Sequence, residues 1–271
     1  MKNYIKIEID SASPVESEIL MAELSENNFY AFEQHENTLA AYIKEDDFSE
    51  EKLQAVLPAN SAYGRTVIAG RNWNEEWERQ LAPVMIDDFA GIRASFHEPL
   101  RGVQHEIIVT PKMSFGTGHH ATTFLMVEQM SKIDFSHKTV VDFGTGTGVL
   151  AILAEKLGAD SVIAIDCDEW SIQNARENIA ANHCKRIKLV QADNIGSQFA
   201  VNIILANINL RVLTESAHRL SMILQPGALL IISGFLAHDE EMVNASFREN
   251  QFCEKARNEK SDWVVKLLEK C

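Results

Sequence analysis

Three glycines at alternate positions, Gly144, Gly146 and Gly148, follow the apolar run Val140-Val141-Asp142-Phe143, and Val149-Leu150-Ala151-Ile152 then resumes a helical pattern. The stretch reads as strand, tight turn and helix. Such glycines let the backbone take positive φ and lie close against a ligand, and the helix start offers free N–H groups. Asp166 stands 22 residues after Gly144 at the end of the next apolar run, and Asp193 and Asn207 end two later ones. A carboxylate at the first of these positions accepts hydrogen bonds from both hydroxyls of a ribose. The group therefore holds a nucleotide-like cofactor. Dinucleotide folds need G-x-G-x-x-G for a pyrophosphate, whereas Val149 stands where the last glycine would be, so the spacing favours S-adenosylmethionine over NAD.

The elements that must position these residues alternate from Val84 onward. Strand-like pieces at 91–96 and 106–110 lead to a helical stretch at 124–130. Strands then fall at 139–143, 161–166, 187–192, 201–206 and 228–233, and helices at 148–157, 169–182, 210–223 and 239–248, with a closing strand pair at 252–258 and 262–269. This predicts an α/β fold, a Rossmann-like open parallel sheet with helices on both faces and an antiparallel edge hairpin. Ligands in such sheets sit beyond the C-terminal strand ends, where Gly144, Gly146, Asp166, Asp193 and Asn207 all fall.

The first 70 residues have another rhythm. A strand at 4–9 is followed by Ser13-Pro14-Val15-Glu16, an N-cap serine, a proline at the first helical position and a glutamate placed for a capping box. After that helix, strands at 29–33 and 38–44, a helix from Ser49 to Val56 and a strand at 65–69 complete βαββαβ, the ferredoxin-like order. Such folds often bind RNA, but residues 1–70 carry five basic residues against thirteen acidic ones, a net of −8, and no aromatic-rich strand for stacking bases. A protein-recognition module fits better, beside the alternative of a domain that only stabilises or dimerises. Trp73, Trp77 and Leu81 share one stripe of a linker helix that Pro83 stops, read first as packing and second as substrate surface. The expected division is 1–70, 71–83 and 84–271.

With 271 residues, 46% hydrophobic and 24% charged, the composition is that of an ordinary globular protein. The formal charge of −14 argues against tight binding to a phosphate backbone and for a basic partner. Cys167, Cys184, Cys253 and Cys271 show no C-x-x-C spacing, so reduced thiols are expected, with neither zinc nor disulfides. The N-terminus lacks a signal-peptide core and no run approaches the ~20 residues of a membrane span, which predicts a cytoplasmic protein. His119 and His120 invite a metal reading, but adjacent residues seldom chelate one ion and no carboxylate stands at ligand spacing, so no metal is expected. Thr122 and Thr123 read as caps of the helix that begins there, a role compatible with touching the ligand, Asp168 as the N-cap of the helix from Glu169, and Asp142 as a turn residue or an acid behind the site. Glu75, Glu76 and Glu78 read as a solvated face.

A resemblance adds to this. Phe115-Gly116-Thr117-Gly118-His119-His120-Ala121-Thr122-Thr123 upstream of the glycine turn, with Asp166, Ala206-Asn207-Ile208, and Pro226-Gly227 to Ser233-Gly234, resembles the bacterial methyltransferases of large-subunit ribosomal protein eleven. The similarity extends to the tryptophan-rich linker and the N-terminal domain. It implies methylation of lysine side chains and the N-terminal amine of that basic ribosomal protein, with the N-terminal domain recognising the substrate. Carried over, Thr123, Gly144, Asp166 and Asn207 bind S-adenosylmethionine, and Phe115 and Gly116 lie in a loop covering its methionine end. Thr145 stands where many members have Cys, and Ala121 where many have Pro. No residue is marked as a general base; Asn207 is the candidate to orient the amine or the cofactor through its amide, with the amine's proton going to water or a backbone carbonyl. The rival readings are an RNA or small-molecule methyltransferase on the same fold and a non-catalytic nucleotide-binding assembly factor.

Overall fold

Ile5, Ile7 and Ile9 alternate along β1 (Tyr4–Asp10) and are all buried, because side chains two apart in a strand share a face. A computed structural model describes the chain apart from residues 1, 2, 11–16, 18, 19, 22, 25, 26, 30, 36, 37, 58–60, 62, 69–81, 111–115, 117 and 197–200. It divides into two units, Met1–Gln80 and Leu81–Cys271.

In the first unit β1 is joined by β2 (Ala31–His35), β3 (Thr38–Lys44) and β4 (Tyr63–Ile68) in the antiparallel order β2-β3-β1-β4. Leu39, Ala41 and Ile43 share the core with the β1 isoleucines, Leu20, Leu24, Phe29 and Leu53. Leu53 belongs to α1 (Glu50–Val56), whose N-cap Ser49 accepts from the Lys52 N–H. Ser17, Leu20, Met21, Glu23 and Leu24 are helical, while the expected cap at Ser13 to Glu16 and the linker stripe at Trp73, Trp77 and Leu81 lie outside the described residues. Phe29 is not in a strand as expected. Asn28 takes φ 69° and the Phe29 N–H returns to the Leu24 carbonyl at 3.2 Å, so Phe29 closes the preceding turn and β2 starts two residues later.

The second unit is built on a seven-stranded sheet of β8 (Thr139–Phe143), β9 (Ser161–Asp166), β10 (Ile187–Gln191), β11 (Val201–Asn207), β12 (Leu224–Leu236), β13 (Phe252–Lys260) and β14 (Trp263–Lys270), in the order β10-β9-β8-β11-β12-β14-β13. The first five positions are parallel, β14 runs antiparallel to β12, and β13 pairs antiparallel with β14. Val140, Val162, Ile203 and Ile231 face one side, against α2 (Ala121–Met130) and α3 (Val149–Lys156). Val141, Ile163, Ile204 and Ile232 face the other, with Leu213 and Leu220 of α5 (Leu210–Ile223) and Val243 and Phe247 of α6 (Glu240–Glu249). Both faces are covered, which is why these strands read as apolar runs rather than alternations. The chain leaves β8 for β9 and β10 through α4 (Glu169–Ala181), then returns to the other side of β8 at β11. A crevice opens where the winding reverses.

Three features depart from expectation. A separate three-stranded sheet holds β5 (Val84–Ile86), β6 (Ala90–Ala94) and β7 (His105–Val109); β5, three residues long, is too short to show a period. Strand β12 runs well beyond 228–233 and carries a register shift between Ser233 and Phe235, where Gly234 has φ 100°. Cys253 and Cys271, expected as free thiols, are joined by a disulfide across the open end of the β13–β14 hairpin, with Cα atoms 6.1 Å apart. The hairpin register pairs Cys253 with Glu269, a proximity that sequence spacing does not reveal. Cys167 and Cys184 are free. Among the described residues no helix is long and apolar enough to cross a membrane and no cluster of three potential ligands could hold a metal ion.

Candidate active site

The end of β8 runs into a turn held from two sides. The Gly144 and Thr145 N–H groups both donate to the Ile165 carbonyl at 2.9 Å, and Gly144, Gly146 and Gly148 take φ of 77°, 53° and 81°. Gly144 permits a close approach as well: a Cβ there would stand 2.3 Å from Ile208 Cγ2. Beneath the turn lies Asp142, fully buried. Its Oδ2 accepts from the Thr145 hydroxyl at 2.6 Å and the Ala151 N–H at 3.2 Å, while Oδ1 has no partner among the described residues. Burial is the main cause that pushes its carboxyl up to about 7, opposed by these two hydrogen bonds and reinforced by the charge of Asp166. As expected, Asp142 supports the turn from below.

Asp166 ends β9. One carboxylate oxygen accepts from Gly146 N–H at 2.9 Å and the other from Asp168 N–H at 3.0 Å, so two backbone donors fix its plane before any ligand arrives. Asp168 caps α4 as expected, accepting from the Ser171 N–H and hydroxyl, and these bonds hold its carboxyl below the usual range.

A cavity of about 500 Å³ opens beyond these strand ends. Gly144, Gly146, Asp166, Asp193 and Asn207 line it, together with His120, Cys167, Ile208, Gly234 and Trp263, which strand-end reading did not single out. The Asn207 Oδ1 is buried and has no hydrogen-bond partner among the described residues; a buried amide oxygen left so is an acceptor awaiting a donor. The neighbouring Ile208 backbone packs on Gly234, where a Cβ would stand 2.0 Å from the Ile208 carbonyl oxygen. Trp263 starts β14 after the positive-φ pair Ser261 and Asp262, and its ring meets His120 edge-on at 4.6 Å.

His120 corrects the expected cap of α2. The helix begins at Ala121, and His120 caps it through Nδ1, which accepts from the Thr122 N–H at 3.3 Å and the Thr122 hydroxyl at 2.8 Å. Burial lowers the pKa of this imidazole, and with Nδ1 accepting, the neutral ring carries its proton on Nε2. It is a donor there, not a base. Thr122 lines the cavity, whereas Thr123 is buried inside α2, does not line it, and has a hydroxyl without a partner among the described residues. Gly116 also stands back, its carbonyl accepting from the Thr147 hydroxyl at 2.8 Å. Phe115 lies outside the described residues. Sequence reasoning missed a further set: Asn174 and Asn178 on α4, both buried, and its C-cap Asn182 form a polar stripe. Asparagine repeated at i, i+4 and i+8 in a helix that otherwise packs by apolar residues was the available signal.

The donor set fits S-adenosylmethionine. The fixed Asp166 carboxylate suits paired ribose hydroxyls, the cavity volume is that of a small-molecule site, and Asn207 lines the same space. A family model described as ribosomal protein L11 methyltransferase (PrmA) matches residues 5–270. A ribosomal protein L11 methyltransferase of Phocaeicola vulgatus is 34% identical over 265 residues, covering 94% of each chain. One of Porphyromonas gingivalis is 38% identical over 231 residues, covering 82% of this chain and 80% of its own. The crystal structure of the ribosomal protein L11 methylase of Lactobacillus delbrueckii subsp. bulgaricus superposes with a TM-score of 0.66 at 27% identity, over 70% of this chain and 99% of that one. From model, relatives and structure alike, the chain belongs to the ribosomal protein L11 methyltransferase family.

Proposed function

We propose that this chain transfers methyl groups from S-adenosylmethionine to lysine side chains and the N-terminal amine of ribosomal protein L11. The observation that carries the reading is one cavity lined by the glycine turn, by Asp166, whose carboxylate two backbone N–H groups fix, and by Asn207, in a chain of this family. When bound, S-adenosylmethionine supplies a methyl group on a positively charged sulfur, with an excellent leaving group behind it. The protein's part is then mostly to position an amine in line.

Asp166 would hold the ribose of S-adenosylmethionine by accepting from its hydroxyls, and Asp193, at the next strand end of the same cavity, would help to hold the adenosyl group. Gly144 and Gly146 let the backbone lie against the ligand. Thr123, Gly116 and Phe115 join them as cofactor-binding residues on the strength of the family resemblance. Asn207, through its side-chain amide, orients the incoming amine so that the nitrogen lone pair points toward the methyl group. A free lysine, with a pKa near ~10.4, must first lose a proton. His120 does not take it, since its Nδ1 already accepts two hydrogen bonds, so the proton leaves to water. The acidic N-terminal unit, read as a ferredoxin-like domain, holds the basic substrate without contact to nucleic acid, and the setting is the cytoplasm, where ribosomal proteins are made.

Intact-mass measurement of ribosomal protein L11, incubated with enzyme and S-adenosylmethionine, tests the proposal. Mass added in whole methyl units, absent without enzyme, is expected. An unchanged mass with an enzyme that binds the cofactor would overturn it.

A further inference from the structure

One buried amide joins three backbone segments behind the cofactor cavity. Asn178 of α4 accepts the Thr110 N–H on Oδ1 at 2.8 Å and donates from Nδ2 to the Thr147 carbonyl at 2.8 Å. Thr147 in turn donates its hydroxyl to the Gly116 carbonyl at 2.8 Å. Both side chains are wholly buried, at 0% exposure. Neither lines the cavity. The Asn182 side chain repeats the pattern one turn on, accepting the Ile108 N–H at 2.9 Å and donating to the Ile108 carbonyl at 2.6 Å, so α4 presents two amides to the end of β7 in the way a neighbouring strand would.

The consequence is geometric. Thr110, the residue after β7, and Gly116 are six positions apart in sequence, and both are tied to the glycine turn through Asn178 and Thr147. The turn is tied to Asp166 by the Gly146 N–H. Gly116 leaves no slack: it has φ 107°, and a Cβ on it would stand 2.7 Å from Thr147 Oγ1. We propose that Asn178 and Thr147 are positioning residues for cofactor binding, forming a relay that holds Gly116 and Thr110 in register with the turn that carries Gly144 and Gly146. The inference rests on the reading of the cavity as an S-adenosylmethionine site. A relay made only for folding would be interchangeable with any packing of the same volume; one that sets the register of the site would be read in ligand affinity.

Thr147→Val keeps the volume and removes the hydroxyl, Thr147→Ser keeps the hydroxyl, and Asn178→Asp keeps the acceptor for Thr110 and replaces the donor to Thr147. Calorimetric titration of each full-length variant with S-adenosylhomocysteine, beside its melting temperature, tests the relay. Thr147→Val and Asn178→Asp are each expected to weaken binding by about tenfold, the worth of one buried hydrogen bond, while Thr147→Ser stays within about twofold and the KM for the methyl acceptor is unchanged. Asn178→Asp carries the test if Thr147→Val does not fold. Wild-type affinity in a folded Thr147→Val or Asn178→Asp overturns the inference. Failure of the wild type itself to bind S-adenosylhomocysteine overturns the reading of the cavity instead, so the two failures are distinguishable.

Discussion

Asp142 makes the stability of this fold depend on pH in a direction opposite to that of most carboxylates. Its folded carboxyl is pushed up to about 7 from an ordinary 3.8, first by burial. The folded chain therefore keeps a proton that the unfolded chain gives up. Between the two values the unfolded state binds fewer protons, so stability falls as pH rises, is fully present below the lower value and levels off above the upper one. About three units at 1.36 kcal/mol each come to about 4 kcal/mol in all, of which about 3 kcal/mol is lost between about pH 5 and pH 8. Asp142→Asn stays neutral throughout, and its amide oxygen still accepts from Thr145 and Ala151. Its Nδ2 takes the place of an oxygen with no partner among the described residues. That exchange carries a fixed penalty of ~1–3 kcal/mol, which cancels when two pH values are compared. Urea unfolding of wild type and Asp142→Asn, followed by circular dichroism at several pH values, gives the difference in stability directly. It should move in favour of the variant by about 3 kcal/mol from about pH 5 to pH 8. A difference that stays flat, or moves the other way, refutes the placement of a largely protonated acid under the turn.

Other expectations follow from the same geometry. Asp166→Ala leaves the Gly146 and Asp168 N–H groups without their acceptor and removes the ribose contact, so S-adenosylhomocysteine should bind roughly 10–100-fold more weakly by calorimetry. Gly234→Ala places a Cβ against the Ile208 carbonyl oxygen, backbone that cannot swing aside; kcat should fall roughly 10–100-fold with cofactor affinity nearly unchanged, in steady-state kinetics beside calorimetry. Glu240 bonds both Arg257 and the buried Lys266, and Arg257 is the leading cause that holds its carboxyl down to about 2. Glu240→Gln should cost about 2 kcal/mol at neutral pH, a loss that narrows only as pH falls toward the depressed value, measured by urea unfolding.

The order of strands and helices in the second unit was readable because two covered faces demand long apolar runs, and β9 and α5 fall at 161–166 and 210–223 as the pattern predicts. Strand-end residues were readable for a related reason: a parallel sheet brings its C-terminal ends to one side whatever the details, so Gly144, Gly146, Asp166, Asp193 and Asn207 had to meet. His120, Gly234 and Trp263 were not, because they converge only after the β13–β14 hairpin folds back beside β12 and α2 packs over it. The same hairpin hides the Cys253–Cys271 pairing. Asn178 was overlooked since a polar residue in an amphipathic helix is ordinarily assigned to solvent, and nothing in the spacing says that its partners are the backbone of β7 and of a turn.

On the proposed function, the arrangement of charge along the cavity lets a site without a marked base serve an amine. Its carboxylates, Asp166 and Asp193, stand at the ends of β9 and β10, on one side of β8. The other side is lined by Asn207, Ile208, Gly234, His120 and Trp263, with no carboxylate among them. An ammonium entering there loses water and gains no counter-ion, which lowers its pKa and favours the neutral amine that the reaction requires. On the proposed reading desolvation does what a base would otherwise do, and Asn207 suits the task because a neutral amide orients the amine without holding a proton. Asn207→Asp, with nearly the same shape, inverts that logic: a carboxylate beside the amine stabilises the ammonium. Turnover at neutral pH should fall by roughly tenfold or more, and the rise of kcat with pH should move upward by about one unit, while affinity for S-adenosylhomocysteine changes little. A pH profile for Asn207→Asp that coincides with that of the wild type would mean that the amine sheds its proton elsewhere.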